Sequence, residues 1–344
     1  MSEQTDSVTI DTEYVSSCAL CGSSSSELAL ADCSDTRYGL PGRFSLVRCK
    51  QCGLVYLNPR PIGESLASYY PQEYAPHQPG RKPQSRSSLS TRISQNLQRA
   101  ASQRYYPVPQ NHRPTPAGWS MLAPLYSTFF KATILPSPRG IATALDVGCG
   151  IGKLLVDLEA LGWTVSGVET NAKAASYARQ ELNLDVITGE LTDAGYPDHS
   201  FALVTLMHVL EHVSKPTGLL EEISRILVPG GLLLLMLPNI ESLEFKLFGK
   251  DWYSLDIPRH LSHFSPKTLQ YAVQSTDLVV RRIVSQPNSY SLAHSLLRKF
   301  GERDSRTGKY QLPGLSCSLL YPMAMMLAWF NVSGDMFIHV SKID

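Results

Sequence analysis

The chain has 344 residues, 43% of them hydrophobic and 18% charged, with a net charge of +1. That length allows one large domain with a sizeable core and a small second module. A charge balance this even excludes a global electrostatic pull toward nucleic acid or an anionic membrane.

The opening residues, MSEQTDSVTIDTEY, are polar and acidic, with no basic region leading into an apolar run. They do not read as a secretory signal, so a reducing, cytoplasmic setting is expected. The seven cysteines include two CxxCG pairs, Cys18-Ala-Leu-Cys21-Gly22 and Cys49-Lys-Gln-Cys52-Gly53. An odd count clustered in this way points to metal rather than to a disulfide framework. Each glycine permits the tight turn that aims backbone amides at a thiolate, and four thiolates suit tetrahedral zinc. Cys18, Cys21, Cys49 and Cys52 are therefore predicted to hold a structural Zn2+ in a module spanning residues 1–72. Cys33, Cys149 and Cys317 read as packing residues. Between Cys18 and Cys52 the charges are mixed, Arg37, Arg43, Arg48 and Lys50 against Glu27, Asp32 and Asp35, so the module carries no dense basic stripe and no nucleic-acid partner is expected.

Residues 73–118 change character to Pro-, Ser-, Gln- and Arg-rich. No acid occurs between Glu73 and Asp146, against nine lysines and arginines. The stretch reads as a flexible linker or as a basic arm that meets phosphate.

From Trp119 onward strands and helices alternate. ATALDVG reads as a strand, KLLVDLEALG as a helix, WTVSGVE as a strand and AKAASYARQEL as a helix. DVIT and FALVTLM follow as strands, TGLLEEISRIL as a helix, PGG as a turn, and LLLLMLP, LVVRRIVSQ and DMFIHVSK as strands. The alternation predicts parallel βα units in a doubly wound α/β sheet, and the continuous apolar strands predict a sheet covered on both faces. The strand ALDV runs into Gly148, Gly150 and Gly152, where glycine lets the backbone approach a ligand at the carboxyl end of a strand. The spacing is GxGxG and not the dinucleotide GxGxxG. Asp146, two residues before the loop, would repel a pyrophosphate and suits a ligand carrying an ammonium group. Glu169 ends the next strand, where an acid can hold both hydroxyls of a ribose.

LDVGCGIG, VET, HVLEHV and LVPGGLLLLMLPN, in this order and spacing, resemble a class I S-adenosylmethionine-dependent methyltransferase. The resemblance covers residues 119–285 and the last strand. It implies a Rossmann-like doubly wound seven-stranded sheet with an antiparallel last strand, and S-adenosylmethionine as cofactor. By the same resemblance Asp146 and Gly148 flank the methionine part, Glu169 takes the ribose hydroxyls, Glu190 lies near the adenine, and His208 lies beside the sulfonium. Ala202 stands where many members carry Asp, which implies a structural consequence. The tail RCKQCGLVYLNPRP resembles the N-terminal zinc module of small-molecule methyltransferases, sugar C-methyltransferases among them.

His208 to His212 also spell HxxEH, an inverted zinc-protease pattern. A strand runs straight into it and Pro216 follows, so a regular helical face for two histidines is not expected. The stretch DIPRHLSHFS follows the fifth strand, over the methyl donor in this fold. His260 and His263 are candidate bases for a proton lost during methyl transfer, and Arg259 a candidate holder of a phosphate or carboxylate. The segment resembles the His-containing substrate loop of sugar C-methyltransferases, which carry a Tyr-His-Glu-His version. Ser265-Pro266 followed by KTLQYAVQ predicts an N-cap, a proline at N1 and a helix.

Between the last two strands lies an apolar insertion at about 288–333. Its run Leu315 to Phe330 is interrupted by Pro322, and a spanning helix needs roughly 20 apolar residues. A packed helix pair, a lid or a foot on the inner face of a membrane are the readings it allows. The function expected is methyl transfer to a small-molecule acceptor, a sugar of a nucleotide- or lipid-linked precursor. An O-methyltransferase for an aromatic or quinone-like acceptor, or a nucleic-acid-binding zinc protein with a degenerate cofactor domain, are the alternatives.

Overall fold

The computed structural model describes residues 10–71, 100, 121, 135–138, 140–303, 310–311 and 316–344. Apart from Ala100, the basic linker expected over 73–118 lies outside the described residues.

The N-terminal module is a small antiparallel sheet. A short pair, β1 (Thr12–Glu13) and β5 (Arg60–Pro61), forms a separate two-stranded sheet, and α1 (Gly63–Ser68) follows. Its main strands are β2 (Ser26–Cys33), β3 (Phe44–Cys49) and β4 (Val55–Leu57). A fourth strand comes from far along the chain. β11 (Ser262–His263) pairs antiparallel with β4, Ser262 opposite Tyr56 and His263 opposite Val55.

The large sheet has seven strands in the order β12-β15-β10-β9-β6-β7-β8. These are β6 (Thr143–Val147), β7 (Thr164–Glu169), β8 (Asp185–Thr188), β9 (Phe201–Met207), β10 (Leu227–Pro238), β12 (Leu278–Gln286) and β15 (Asp335–Lys342). β15, the last strand, is antiparallel to both neighbours, β10 and β12. The other registers from β10 through β8 are parallel. The helices α2 (Lys153–Ala160), α3 (Ala172–Leu182) and α4 (Pro216–Ile226) follow β6, β7 and β9. Their ends are set locally. The Asn171 side chain accepts from the amides of Lys173 and Ala174, and proline opens α4.

The Pro-Gly-Gly expected as a turn lies inside β10. A register irregularity between Leu227 and Leu232 absorbs it, with Gly230 at φ 69°. The strand bulges and continues because Leu227 already pairs with Phe201 on the far side of the glycines.

Beyond β10 come α5 (Leu243–Phe248), β11, and α6 (Pro266–Ala272), which starts as predicted with a reciprocal Ser265–Thr268 cap. The insertion holds α7 (Ser289–Phe300), the short pair β13 (Glu302–Arg303) and β14 (Tyr310–Gln311), and α8 (Cys317–Trp329) with Pro322 inside it. No helix of the described residues is long and apolar enough to cross a membrane.

The two modules share their cores. Cys18, Cys49, Cys52, Leu54 and Tyr56 lie in one apolar cluster with Phe264, Leu269 and Ala272. Phe44, Leu46, Val55 and Leu57 lie in another with Trp252, Leu255, Ile257 and Leu261. Separating the modules would expose both clusters, so burial of apolar surface at about 25 cal/mol per Å2 fixes the small sheet on the large domain.

Candidate cofactor and acceptor site

The site lies at the carboxyl ends of β6, β7, β9 and β10, where an open α/β sheet binds ligands. On the first side, β6 delivers the buried Asp146, and Thr205 on β9 donates a hydrogen bond of 2.6 Å to its carboxylate. Burial pushes the Asp146 carboxyl up to about 7 despite that bond. A cation placed here would draw it back to the ionised form.

The turn after β6 needs glycine. Gly148, Gly150 and Gly152 have φ of 71°, 55° and 83°. A Cβ on Gly148 would lie 2.5 Å from Val209 Cγ2, and one on Gly152 would lie 2.4 Å from Leu184 Cδ1. Glu169 ties this turn to the next. One carboxylate oxygen accepts from Gly150 N and the other from Asn171 N, each at 2.7 Å. Thr170 Oγ1 also approaches the second of these oxygens at 3.4 Å. Glu190 caps the 3-10 turn Leu191–Ala194 in a reciprocal box with Asp193, a structural task that its sequence context did not disclose.

The second side starts where β9 ends. His208 sits at φ 57° with its amide on Met236 O, and its Nδ1 is 3.3 Å from Glu211 Oε1. Burial lowers the His208 pKa, but the Glu211 bond and charge outweigh it and raise the value overall. Leu210–His212 is a 3-10 turn, so His208 and His212 do not share a regular helical face. Glu211 is buried. Against the cost of that burial, the bond from His208 and the nearby histidines pull its carboxyl down to about 2. Its second oxygen, Oε2, has no hydrogen-bond partner.

The stretch DIPRHLSHFS is buried throughout. His260 Nδ1 is 3.0 Å from Ser254 O, which leaves Nε2 facing Glu211 Oε1 at 3.9 Å and Asp256 Oδ2 at 4.0 Å. The rings of His212 and His260 are 4.6 Å apart, and those of His260 and His263 are 6.0 Å apart. Tyr70 Oη reaches His212 Nδ1 at 3.1 Å. Burial pushes His260 down to about 3 and His263 to about 4, so both rings are neutral. His263 Nε2 has no partner. Glu211, His212 and His260 bring three metal-capable atoms within 4.8 Å of one another.

Arg259 is fully buried and faces the small module. Its guanidinium bonds Asp35 Oδ2 at 3.1 Å and Oδ1 at 2.7 Å, Asp256 Oδ1 at 3.0 and 2.7 Å, and Tyr69 O at 2.9 Å. The expectation that Arg259 holds a phosphate or carboxylate of the acceptor is corrected: its donors are spent on the chain's own groups. Arg37 adds a second tie, 2.8 Å to Asp256 Oδ2. The loop carrying His260 and His263 is thus fastened to the small module by ion pairs and by the β4–β11 ladder.

Within that module the four predicted sulfurs converge. Cys18 and Cys52 Sγ are 3.5 Å apart, Cys21 and Cys49 Sγ 3.4 Å, and all four lie within 4.8 Å of one another. Burial opposes ionisation of Cys49, but amides of Cys52 and Gln51 and its thiol neighbours pull it down to about 7. Sulfurs about 2.3 Å from a common tetrahedral ion sit at nearly these separations, so the set fits zinc.

Sequence reasoning missed Glu211, Asp256, Asp35, Arg37 and Tyr70 as parts of the acceptor side. Glu211 had a signal, an acid between two histidines. Asp256 opens the stretch DIPRHLSHFS, whereas Asp35, Arg37 and Tyr70 had no local signal.

A seven-stranded sheet with one antiparallel strand, a glycine turn after its first strand and an acid closing its second define a Rossmann-like methyltransferase. The methyltransferase domain family matches residues 90–283, more than half of the chain, and the chain belongs to that family. It is 34% identical over 102 residues to the ubiquinone biosynthesis O-methyltransferase of Thiobacillus denitrificans, covering 28% of this chain and 44% of that protein. To the protein of the same name in Xanthomonas oryzae pv. oryzae it is 32% identical over 131 residues, 36% and 55% of the two chains. The chain thus spans about half the length of these curated relatives. A solved S-adenosylmethionine-dependent methyltransferase from Archaeoglobus fulgidus is similar at 19% identity and a TM-score of 0.41, over 65% of this chain and 92% of that one.

Proposed function

We propose that this enzyme methylates a small molecule whose acceptor atom loses a proton, with a sugar of a nucleotide- or lipid-linked precursor as the favoured acceptor. In this reading Gly148, Gly150 and Gly152 bring the backbone to S-adenosylmethionine, Asp146 faces its ammonium side and Glu169 its ribose hydroxyls. Glu190 and His208 border the adenine and the sulfonium. The cofactor supplies an electrophilic methyl group; the chain positions the acceptor, excludes water and takes the proton.

The observation that carries the reading is His260. A buried imidazole that is neutral, with Nδ1 held by a carbonyl and Nε2 between two carboxylates, is arranged to accept one proton. Glu211 and Asp256 at 3.9 and 4.0 Å offset part of the cost of the charge it then gains in so buried a place. His263 continues the same wall. Arg259 acts as a positioning residue. The four cysteines hold a structural zinc that keeps the small module, and through it the acceptor loop, in place.

A second reading is O-methylation of an aromatic or quinone-like acceptor, favoured by the relatives named ubiquinone biosynthesis O-methyltransferase. The exposed Leu319, Met326, Trp329 and Phe330 on and after α8 fit either a lipid-linked sugar or an apolar quinone at a membrane face. The test is label transfer from S-adenosylmethionine into soluble nucleotide sugars, lipid-linked sugars and organic-phase quinones. Label in either sugar fraction supports the first reading. Label confined to the quinones supports the second, and label in none with the cofactor bound rejects both.

A further inference from the structure

The inserted helix α7 brings a cation to the acceptor side that the ion-pair seam does not use. Asp35 and Asp256 are matched by Arg259 and Arg37. Arg298 is a third guanidinium, only 9% exposed. Its Nη1 meets the carbonyls of Trp252 and Tyr253, both at a long 3.4 Å, and no carboxylate pairs with it among the described residues. Burial lowers the Arg298 pKa even though Asp256 and Asp35 favour its charge from a distance, and a cation buried without a direct ion pair gains when an anion arrives beside it.

The surroundings fit a particular anion. The Arg298 guanidinium lies 4.7 Å and that of Arg37 5.2 Å from the centre of the same Tyr253 ring. The Tyr253, Tyr290 and His294 rings pack on one another at 4.2 to 5.3 Å. Burial lowers the His294 pKa, and Arg298 and Arg37 both lower it further, so the ring also feels both cations. Guanidinium groups match phosphoryl oxygens, and an aromatic wall beside them receives a flat ring. The place is close to the proposed base, because Arg37 bonds Asp256 at 2.8 Å and Asp256 is 4.0 Å from His260 Nε2.

We propose that Arg298, with Arg37 beside it and Tyr253, Tyr290 and His294 as a wall, binds a phosphoryl group of the acceptor. The role expected of Arg259 falls to Arg298. This inference rests on the acceptor site proposed above. A phosphoryl group can come from a soluble nucleotide or from a lipid-linked phosphate, and the recognition chemistry is the same for both.

The test is calorimetric titration of the full chain with inorganic pyrophosphate, uridine diphosphate and dihexanoyl phosphatidic acid, each with and without S-adenosylhomocysteine. The wild type should bind at least one of them. Arg298→Gln should bind it about tenfold or more weakly, the loss of charge-assisted hydrogen bonds, while Lys299→Gln on the same helix should not change it. Tyr290→Ala, on a half-exposed side chain, should weaken uridine diphosphate and leave pyrophosphate unchanged. Uridine diphosphate binding best would identify a nucleotide source, and phosphatidic acid binding best a lipid source; both support the subsite. A wild type that binds S-adenosylhomocysteine and none of the three probes overturns the subsite and leaves the methyltransferase reading standing. Equal affinity in wild type and a folded Arg298→Gln variant also overturns it. Phosphoryl binding without S-adenosylhomocysteine binding supports the anion site and removes its link to methyl transfer.

Discussion

The two sides of the site are held by different forces. On the cofactor side, backbone geometry dominates: three glycines at positive φ, with Glu169 gripping two amides from adjacent turns. These glycines and Glu169 lie within one βαβ unit. On the acceptor side, charge and long-range pairing dominate. Arg259 meets Asp35 across 224 positions of sequence, and β11 completes a sheet whose other strands lie in the N-terminal module. The lesson is that the cofactor side can survive on its own domain, whereas the acceptor side exists only while the small module is folded and docked.

Loss of the proposed zinc should separate the two sides most sharply. About one zinc per chain is expected by elemental analysis, and removing it, or replacing Cys18 and Cys52 by Ser, should abolish methyl transfer while S-adenosylhomocysteine still binds. A metal-free chain with full activity would break the comparison. Next in size is the seam. Arg259→Met should lower unfolding stability by about 3–5 kcal/mol, because buried Asp35 loses its cation and Asp256 keeps only Arg37. Asp35→Asn combined with it should restore part of that loss. S-adenosylhomocysteine affinity measured on the folded fraction should hardly change; a parallel fall would mean that the sides are coupled.

A smaller effect is expected from Gly148→Ala. Its φ of 71° and the Val209 contact at 2.5 Å should cost about 1–3 kcal/mol and weaken cofactor binding, with the acceptor loop undisturbed. The smallest effect is a slope. His260 and His263 titrate at about 3 and about 4 in the folded chain, against about 6.5 when unfolded. Between those values the unfolded chain binds more protons, so stability is fully present above about pH 6.5 and falls as pH drops toward 4. Each ring contributes up to about 1.4 kcal/mol per pH unit, and His263→Gln should remove its share of the slope in pH-dependent denaturation. A slope unchanged in that variant would show that the ring is not buried neutral.

The signals of the proposed cofactor side are local. Asp146, the glycine turn and Glu169 fall within one strand–helix–strand stretch, and the strand alternation fixed the sheet around them. Pro-Gly-Gly misled because turn propensity was overridden by strand pairing on both flanks. On the acceptor side the position of His260 and His263 could be read, since the loop follows the fifth strand of the fold. The task of Arg259 could not be read. An arginine beside two histidines looks like an anion holder until a distant Asp35 occupies it, and no periodicity encodes that meeting. Arg298 was invisible for the converse reason: it lies in an insertion, on a helix whose sequence gives no hint that one cation faces the acceptor side.

The central claim is that a buried, neutral His260 on a loop fastened to the small module serves the acceptor and not the cofactor. The most direct measurement is methyl transfer from labelled S-adenosylmethionine by wild type and His260→Gln, on whichever extract fraction takes label, with S-adenosylhomocysteine affinity measured in parallel. The account predicts turnover lower by about a hundredfold or more, the range of a lost proton acceptor, with affinity unchanged within about twofold. Equal turnover in the two proteins, or an equal loss of cofactor affinity, would contradict it.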